Sequence, residues 1–516
     1  AVTGVQTCAL PIFFGITNAA ARISLFQNKN VHTPIISLNT VSPLKGEAGS
    51  TVTITGDYFS TTLSENKVMF GDVQAAVTSA TKTKLTVTVP LGASIAAVSV
   101  TRDKLTSTYH LPFVPTFSPD VMFDNTHFAP PVNFLLTSAL YDIDAGDLNN
   151  DGKVDIVADV GSTKIITFRN THGTGSIASS SLMADDTLNG TYYPHIFDLD
   201  GDGRGDVVGV TGPLQNLSQG SEINFGAYSY VNPGGHYFND FADFNKDGKV
   251  EFIGVNASNV LIVENRTSQI AFSTNTVTST FGPPVSLPKP SNFGSVVAVD
   301  FDKDGLIDIA ATNPSTNNIS LWKNTGSYRV SSSQFTVLPE ISIGVNPSRI
   351  YASDIDNDGK MDLLIQYNSG ASSLSMTILH NQSTAGTISF TQFDLTIPVI
   401  ATVVNISDLD GDGKPDIIAT SETGNQFFIL KNIFTSGVMS ASSFAAPFSA
   451  PVTSPRGLAT ADLNLDGKPE IIITAAPNSL LVYENLIPVG PSITINTQPS
   501  TIAVCSGAIV SLSTSG

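Results

Sequence analysis

Seven times the chain repeats the pattern Asp-x-Asp/Asn-x-Asp-Gly-x-x-Asp/Glu, beginning at Asp147, Asp198, Asp243, Asp300, Asp354, Asp408 and Asp462. Oxygen-bearing side chains at alternate positions around a glycine are how a short loop wraps a hard cation. The glycine supplies the tight, positive-φ turn, and six or seven oxygens without nitrogen or sulfur favour calcium over zinc or copper. The candidate ligands, loop by loop, are Asp147, Asn149, Asp151, Lys153 and Asp155; Asp198, Asp200, Asp202, Arg204 and Asp206; Asp243, Asn245, Asp247, Lys249 and Glu251; Asp300, Asp302, Asp304, Leu306 and Asp308; Asp354, Asp356, Asp358, Lys360 and Asp362; Asp408, Asp410, Asp412, Lys414 and Asp416; and Asp462, Asn464, Asp466, Lys468 and Glu470. The fourth residue of each set offers its backbone carbonyl, and the last closes the shell. Up to seven Ca2+ ions are expected, one per loop. The third and seventh loops combine Asn for Asp with Glu for Asp, and are expected to bind most weakly.

The spacing excludes an EF-hand, which needs an acidic residue at its twelfth position. Here that position holds Ala158, Gly209, Gly254, Ala311, Ile365, Ala419 and Ile473, and the flanks are β-forming runs. The loops hold 25 of the 44 acidic residues, so the net charge of −19 is mostly ligand charge rather than a solvated acidic surface. That charge argues against a nucleic-acid partner. Two cysteines, Cys8 and Cys505, offer neither a disulfide framework nor a zinc cluster, and no apolar run is long enough to span a membrane. No nucleophile elbow, phosphate loop or dinucleotide fingerprint occurs, so no catalytic residue is assigned and the chain is read as a non-enzyme. His195 and His236 precede loops, a place that suits either a channel mouth or ordinary loop residues. Trp322 stands where equivalent strands carry Phe168, which points to core packing.

The loops are 51, 45, 57, 54, 54 and 54 residues apart, so the elements that position them form a repeat array. Each unit reads as an apolar strand ending in the first Asp, the loop, a strongly β-forming run, and a third strand closing on Asn (Asn170, Asn265, Asn324, Asn381, Asn432 and Asn485). A variable fourth strand often carries Phe. Four short antiparallel strands make a propeller blade, and seven blades make a ring. After Asn485 the chain has no fourth strand of its own, whereas His127–Phe134 (HFAPPVNF) resembles the fourth-strand segment SFAAPF at 443–448. The N-terminal strand is therefore expected to complete the seventh blade and remove the open edge.

The expected fold is all-β, divided into five parts. Residues 1–12 read like a translated sequencing adapter and are set aside. Residues 13–33 read as the stub of an upstream blade plus a linker, 34–117 as a β-sandwich, and 118–487 as the propeller. Residues 488–516 read as a linker and a truncated immunoglobulin-like module. The phrases Val41-Ser42-Pro43, Gly49 to Gly56, Asp57-Tyr58-Phe59 and Val68 to Gly71 resemble the TIG (IPT) immunoglobulin-like family, with a spacer role implied. Closure at the ninth position resembles the FG-GAP/VCBS family of seven-bladed calcium-binding propellers, in its bacterial branch. The resemblance implies a secreted or cell-surface bacterial adhesion or display protein, a rigid scaffold whose partner is an extracellular protein or glycan. The alternative is an accessory propeller of a larger secreted carbohydrate-active or other hydrolase whose catalytic domain lies elsewhere.

Overall fold

The computed structural model describes residues 36–488 apart from 118–120, 162–163, 186, 190–192, 211, 228–236, 267–280, 290–293, 327–328, 345 and 368–375. It also describes the backbone of Ile12–Thr17 and Arg22–Gln27, which pair antiparallel. The rest of the expected leading segment, the trailing module and His236 lie outside the described residues. No helix among the described residues is long and apolar enough to cross a membrane.

Residues Ser37 to Pro115 form a sandwich whose eight strands follow one hydrogen-bonded path. Alternating strands such as Thr51–Asp57 turn Val52 and Ile54 into a core with Phe59, Val68, Phe70, Val87, Val100 and Phe113. Period-two apolar alternation produces this directly, because successive strand side chains face opposite sides.

Seven antiparallel sheets follow, one per loop, making the seven-bladed propeller. In each, the innermost strand runs into the first Asp of the loop. In the sixth blade, for example, Val403–Ser407 leads to Asp408, and Asp416–Ser421, Gln426–Leu430 and Phe448–Pro451 complete the sheet. The second strands are buried along their whole length, as at Asp308–Asn313, Asp362–Tyr367 and Glu470–Ala475. Neighbouring blades cover both faces, which is why burial along these runs is continuous rather than alternating. Trp322 is buried within one such interface, packed with Phe244, Ile253 and Ile309.

The ring closes as the sequence implied. Val132–Leu135 pairs antiparallel with Ser479–Tyr483 as the outer strand of the seventh blade. Its register follows the repeat: the closing Asn of each blade faces one aromatic or leucine across the outer edge. These pairs are Asn170 with Leu182, Asn216 with Phe225, Asn265 with Phe281, Asn324 with Phe335, Asn381 with Phe390, Asn432 with Phe444, and Asn485 with Phe128. A resemblance between two short phrases thus located a contact between the two ends of the propeller.

The closing asparagines also staple neighbouring blades. Each side-chain amide donates to the carbonyl of the second loop residue in the preceding blade. The acceptors are Leu463 (2.8 Å), Leu148 (2.8 Å), Leu199 (2.8 Å), Phe244 (3.2 Å), Phe301 (3.0 Å), Ile355 (2.8 Å) and Leu409 (2.8 Å). Buried carbonyls need such donors, and the repeat supplies one per interface.

The sandwich sits over the propeller face that carries the loops. Thr106 N donates to Gly248 O at 2.7 Å, Gly92 N to Asp462 Oδ2 at 3.2 Å, and Lys45 Nζ reaches Gly413 O. Phe117 N donates to Gly411 O at 3.3 Å. Asp72 lies directly over Gly146, where a Cβ would come within 2.7 Å of the Asp72 Cβ. Beneath the sandwich runs a central cavity of about 1420 Å³, lined by Ser107, His110, His195, Asp240, Arg349 and Tyr351 among others. His195 is therefore a strand residue of the channel wall.

Candidate metal centres

Each loop is held by the same set of hydrogen bonds. The first Asp accepts the amide of the loop glycine at 2.6 to 2.9 Å in all seven copies. The third-position Asn149, Asp200, Asn245, Asp302, Asp356, Asp410 or Asn464 accepts the amide two residues on. The fifth-position Asp accepts the amides of Lys153, Arg204, Lys249, Leu306, Lys360, Lys414 and Lys468 at 2.8 to 3.0 Å. These contacts turn the seventh-position amides toward the fifth carboxylate and fix the course of the loop.

The loop glycines take φ between 80° and 85°, as expected. The fourth position is left-handed too, with φ of 58° at Asn150, 56° at Lys246, 59° at Lys303, 60° at Asn357 and 56° at Leu465, while Gly201 and Gly411 relieve it in two loops. Leu, Lys and Asn there carry a backbone cost that the sequence pattern, which leaves this position free, did not announce.

The ninth position is tied more tightly than a ligand alone would be. One carboxylate oxygen accepts the amide of the second loop residue in every copy, from Leu148 to Asp155 at 3.1 Å through Leu463 to Glu470 at 2.8 Å. The other oxygen accepts the closing Asn amide in six copies, as at Asn216 to Asp206 at 2.7 Å. Each oxygen keeps a second lone pair, so ligation remains open to it.

The residues fit a hard cation. Asp198, Asp200 and Asp206 bring carboxylate oxygens within 4.8 Å of one another, as do Asp300, Asp302 and Asp304, and Asp408, Asp410 and Asp416. Asp354 Oδ1 is buried and makes no hydrogen bond of ordinary geometry. Burial, reinforced by neighbouring carboxylates, pushes Asp155 up to about 8 and Asp198, Asp243 and Asp354 to about 7. It drives Asp206, Asp362, Asp408, Asp416 and Glu470 well above the usual range. Desolvated like charges at this spacing call for a positive counter-charge.

One ring of residues escaped the sequence analysis: the side chain just before each closing Asn. Gln215 Nε2 donates to Asp200 Oδ2 at 2.7 Å, and His380 Nε2 stands 2.9 Å from Asp356 Oδ2. Lys323 Nζ bridges Asp302 and Asp304, the latter at 2.7 Å, and Lys431 Nζ bridges Asp410 and Asp412, the latter at 3.6 Å. The signal was available in retrospect, since this position is one residue from an Asn already recognised. Its pairing with the loop depends on strand register, which the pattern does not state.

Compared with known proteins, residues 243–311, 300–365 and 408–473 match the FG-GAP-like repeat, and residues 36–114 match the IPT/TIG domain. The chain carries FG-GAP-like repeats within its seven-bladed β-propeller, preceded by a TIG domain. No curated protein matches it. Among solved structures, an auxiliary nutrient binding protein from Bacteroides ovatus is 11% identical over 88% of this chain and 98% of its own, with a TM-score of 0.35. A protein from Agrocybe aegerita, described as recognising non-reducing terminal N-acetylglucosamine, is 16% identical over 77% of this chain and 95% of its own, with a TM-score of 0.38. At such values neither likeness assigns a ligand here.

Proposed function

We propose that this chain is a calcium-binding, non-catalytic scaffold, secreted or displayed on a bacterial surface, that presents a stiff disc to an extracellular protein or glycan. The observation that carries the calcium reading is the convergence of carboxylates in the loops at Asp198, Asp300 and Asp408, three copies of a pattern repeated seven times around one ring. Calcium would supply the counter-charge, held by the alternate carboxylates of each loop. The protein's own part is to pin the loop with backbone donors so that those oxygens stay converged. Extracellular sites of this kind work at about 10⁻⁴–10⁻³ M. The TIG domain covers the loop face, so the opposite face and the blade edges are the surfaces left for a partner.

The test is a thermal melt in millimolar calcium and in chelator. Binding to the folded state alone stabilises each site by about 1.4 kcal/mol per tenfold excess of ion over its dissociation constant. A clearly higher midpoint in calcium is expected. The same midpoint in both buffers would overturn the calcium reading.

A further inference from the structure

The seven loops differ in the side chain that stands beside them, at the position before the closing Asn. Loops with four carboxylates meet Gln215, Lys323, His380 or Lys431. Loops with three carboxylates and an Asn meet Arg169, Glu264 or Glu484, none of which bonds the third-position Asn. Arg169 instead turns to Ser221 O at 2.6 Å and to Asp185 at 3.4 Å. Glu484 accepts the amide of Ile177 at 3.2 Å. At the position before the closing Asn, a lysine therefore occurs only where the loop carries a fourth carboxylate.

We propose that Lys323 and Lys431 are tethered counter-cations that set the order of calcium uptake: the fourth and sixth blades load after the second and fifth. This rests on the calcium reading above. In the second and fifth blades the same position offers the uncharged Gln215 and the imidazole His380, which bond one third-position carboxylate each, while the cations of those loops, Arg204 and Lys360, pair with the fifth-position Asp202 and Asp358 alone. In the fourth and sixth, an ammonium bridges the third- and fifth-position carboxylates, two of the groups a dication would need. The loop is then part-neutralised before any ion arrives, and an arriving dication meets a fixed positive charge at contact distance.

The sixth blade is the stronger case. The Lys431 side chain is 2% exposed, lies 5.7 Å from the ring of Phe123, and shares Asp410 Oδ2 with the amide of Val121 at 3.1 Å. Both covering residues come from the segment that joins the sandwich to the propeller, so Lys431 has no open path to swing away. Lys323 is 17% exposed and freer to leave. The sixth blade should therefore be the last of the four to load.

Calorimetric calcium titration of the whole chain tests this, comparing wild type with Lys431→Met, Lys323→Met, the double variant and Gln215→Lys. Each Lys→Met change should move one site into the tighter class, and the double variant two. Affinity at each altered site should rise at least about tenfold, since even a water-like dielectric leaves a sizeable repulsion between adjacent cations. Gln215→Lys, at a part-buried position in another blade, should remove one tight site without emptying a buried one. In chelator, hydrogen exchange at Gly305 and Gly413 should be slower than at Gly203 and Gly359. Calcium uptake that is unchanged or weakened in the Lys→Met variants would overturn the proposal and leave the calcium reading standing. Absence of calcium heat from wild type and every variant would overturn the calcium reading itself.

Discussion

The side-chain amide of Asn170 donates at 2.8 Å to the backbone carbonyl of Leu463, 293 residues further along the chain. Asn170 belongs to the first blade and Leu463 to the loop of the seventh, so this bond crosses the seam where the ring closes. It works beside the strand clasp of Val132–Leu135 on Ser479–Tyr483. Together they leave the first and last blades joined like any other pair.

Asn170→Ala should therefore be costly. It strips the donor from two buried carbonyls, Leu463 O and Val154 O. Leaving such groups unpaired costs about 1–3 kcal/mol each. A denaturant titration in saturating calcium should show a loss of about 2–5 kcal/mol. A loss well under 1 kcal/mol would mean that the seam does not depend on this staple.

The seat of the TIG domain can be tested at Gly146, whose backbone has no positive φ to complicate the result. A Cβ there would meet Asp72 Cβ at 2.7 Å and Ile196 Cδ1 at 3.2 Å. Gly146→Ala should push the sandwich off the loop face while leaving the blade intact. Scanning calorimetry should then resolve a separate, lower-temperature transition for the sandwich. A single unshifted transition would show that the contact is not a firm one.

Asp159 predicts a pH dependence that does not involve the loops. Both its oxygens accept backbone amides, from Asp142 at 3.0 Å and Tyr193 at 3.2 Å, yet burial pushes it up to about 7. The folded state therefore holds a proton that the unfolded chain releases near pH 4. Where the folded state binds more protons, stability falls as pH rises, here between about 4 and 7. Asp159→Asn in saturating calcium should flatten that decline, measured as the slope of unfolding free energy against pH. An unaltered slope would show that Asp159 is ionised throughout.

Much of this protein was legible because its repeat writes chemistry into contiguous residues. The loop pattern marked the turn glycine by its need for a positive φ, and Gly152 to Gly467 take that conformation. Closing asparagines marked the blade ends, although Asn216 was overlooked because the second blade's third strand, Gly212–Asn216, reads weakly as β. The clasp was legible because Phe128 repeats the setting of Phe444, and both face a closing Asn.

What the sequence by itself determined were the local units: strand periods, loop turns and the count of blades. These depend on neighbours within a few residues, where covalent spacing dictates which groups meet. Only the tertiary structure decided that Lys431 stands over Asp410, that Asn170 reaches Leu463, and that the TIG domain rests on the loop face rather than beside it. Those contacts depend on strand register and on packing between separate sheets. There, small differences in buried area and hydrogen-bond satisfaction choose among arrangements that the linear pattern leaves equal.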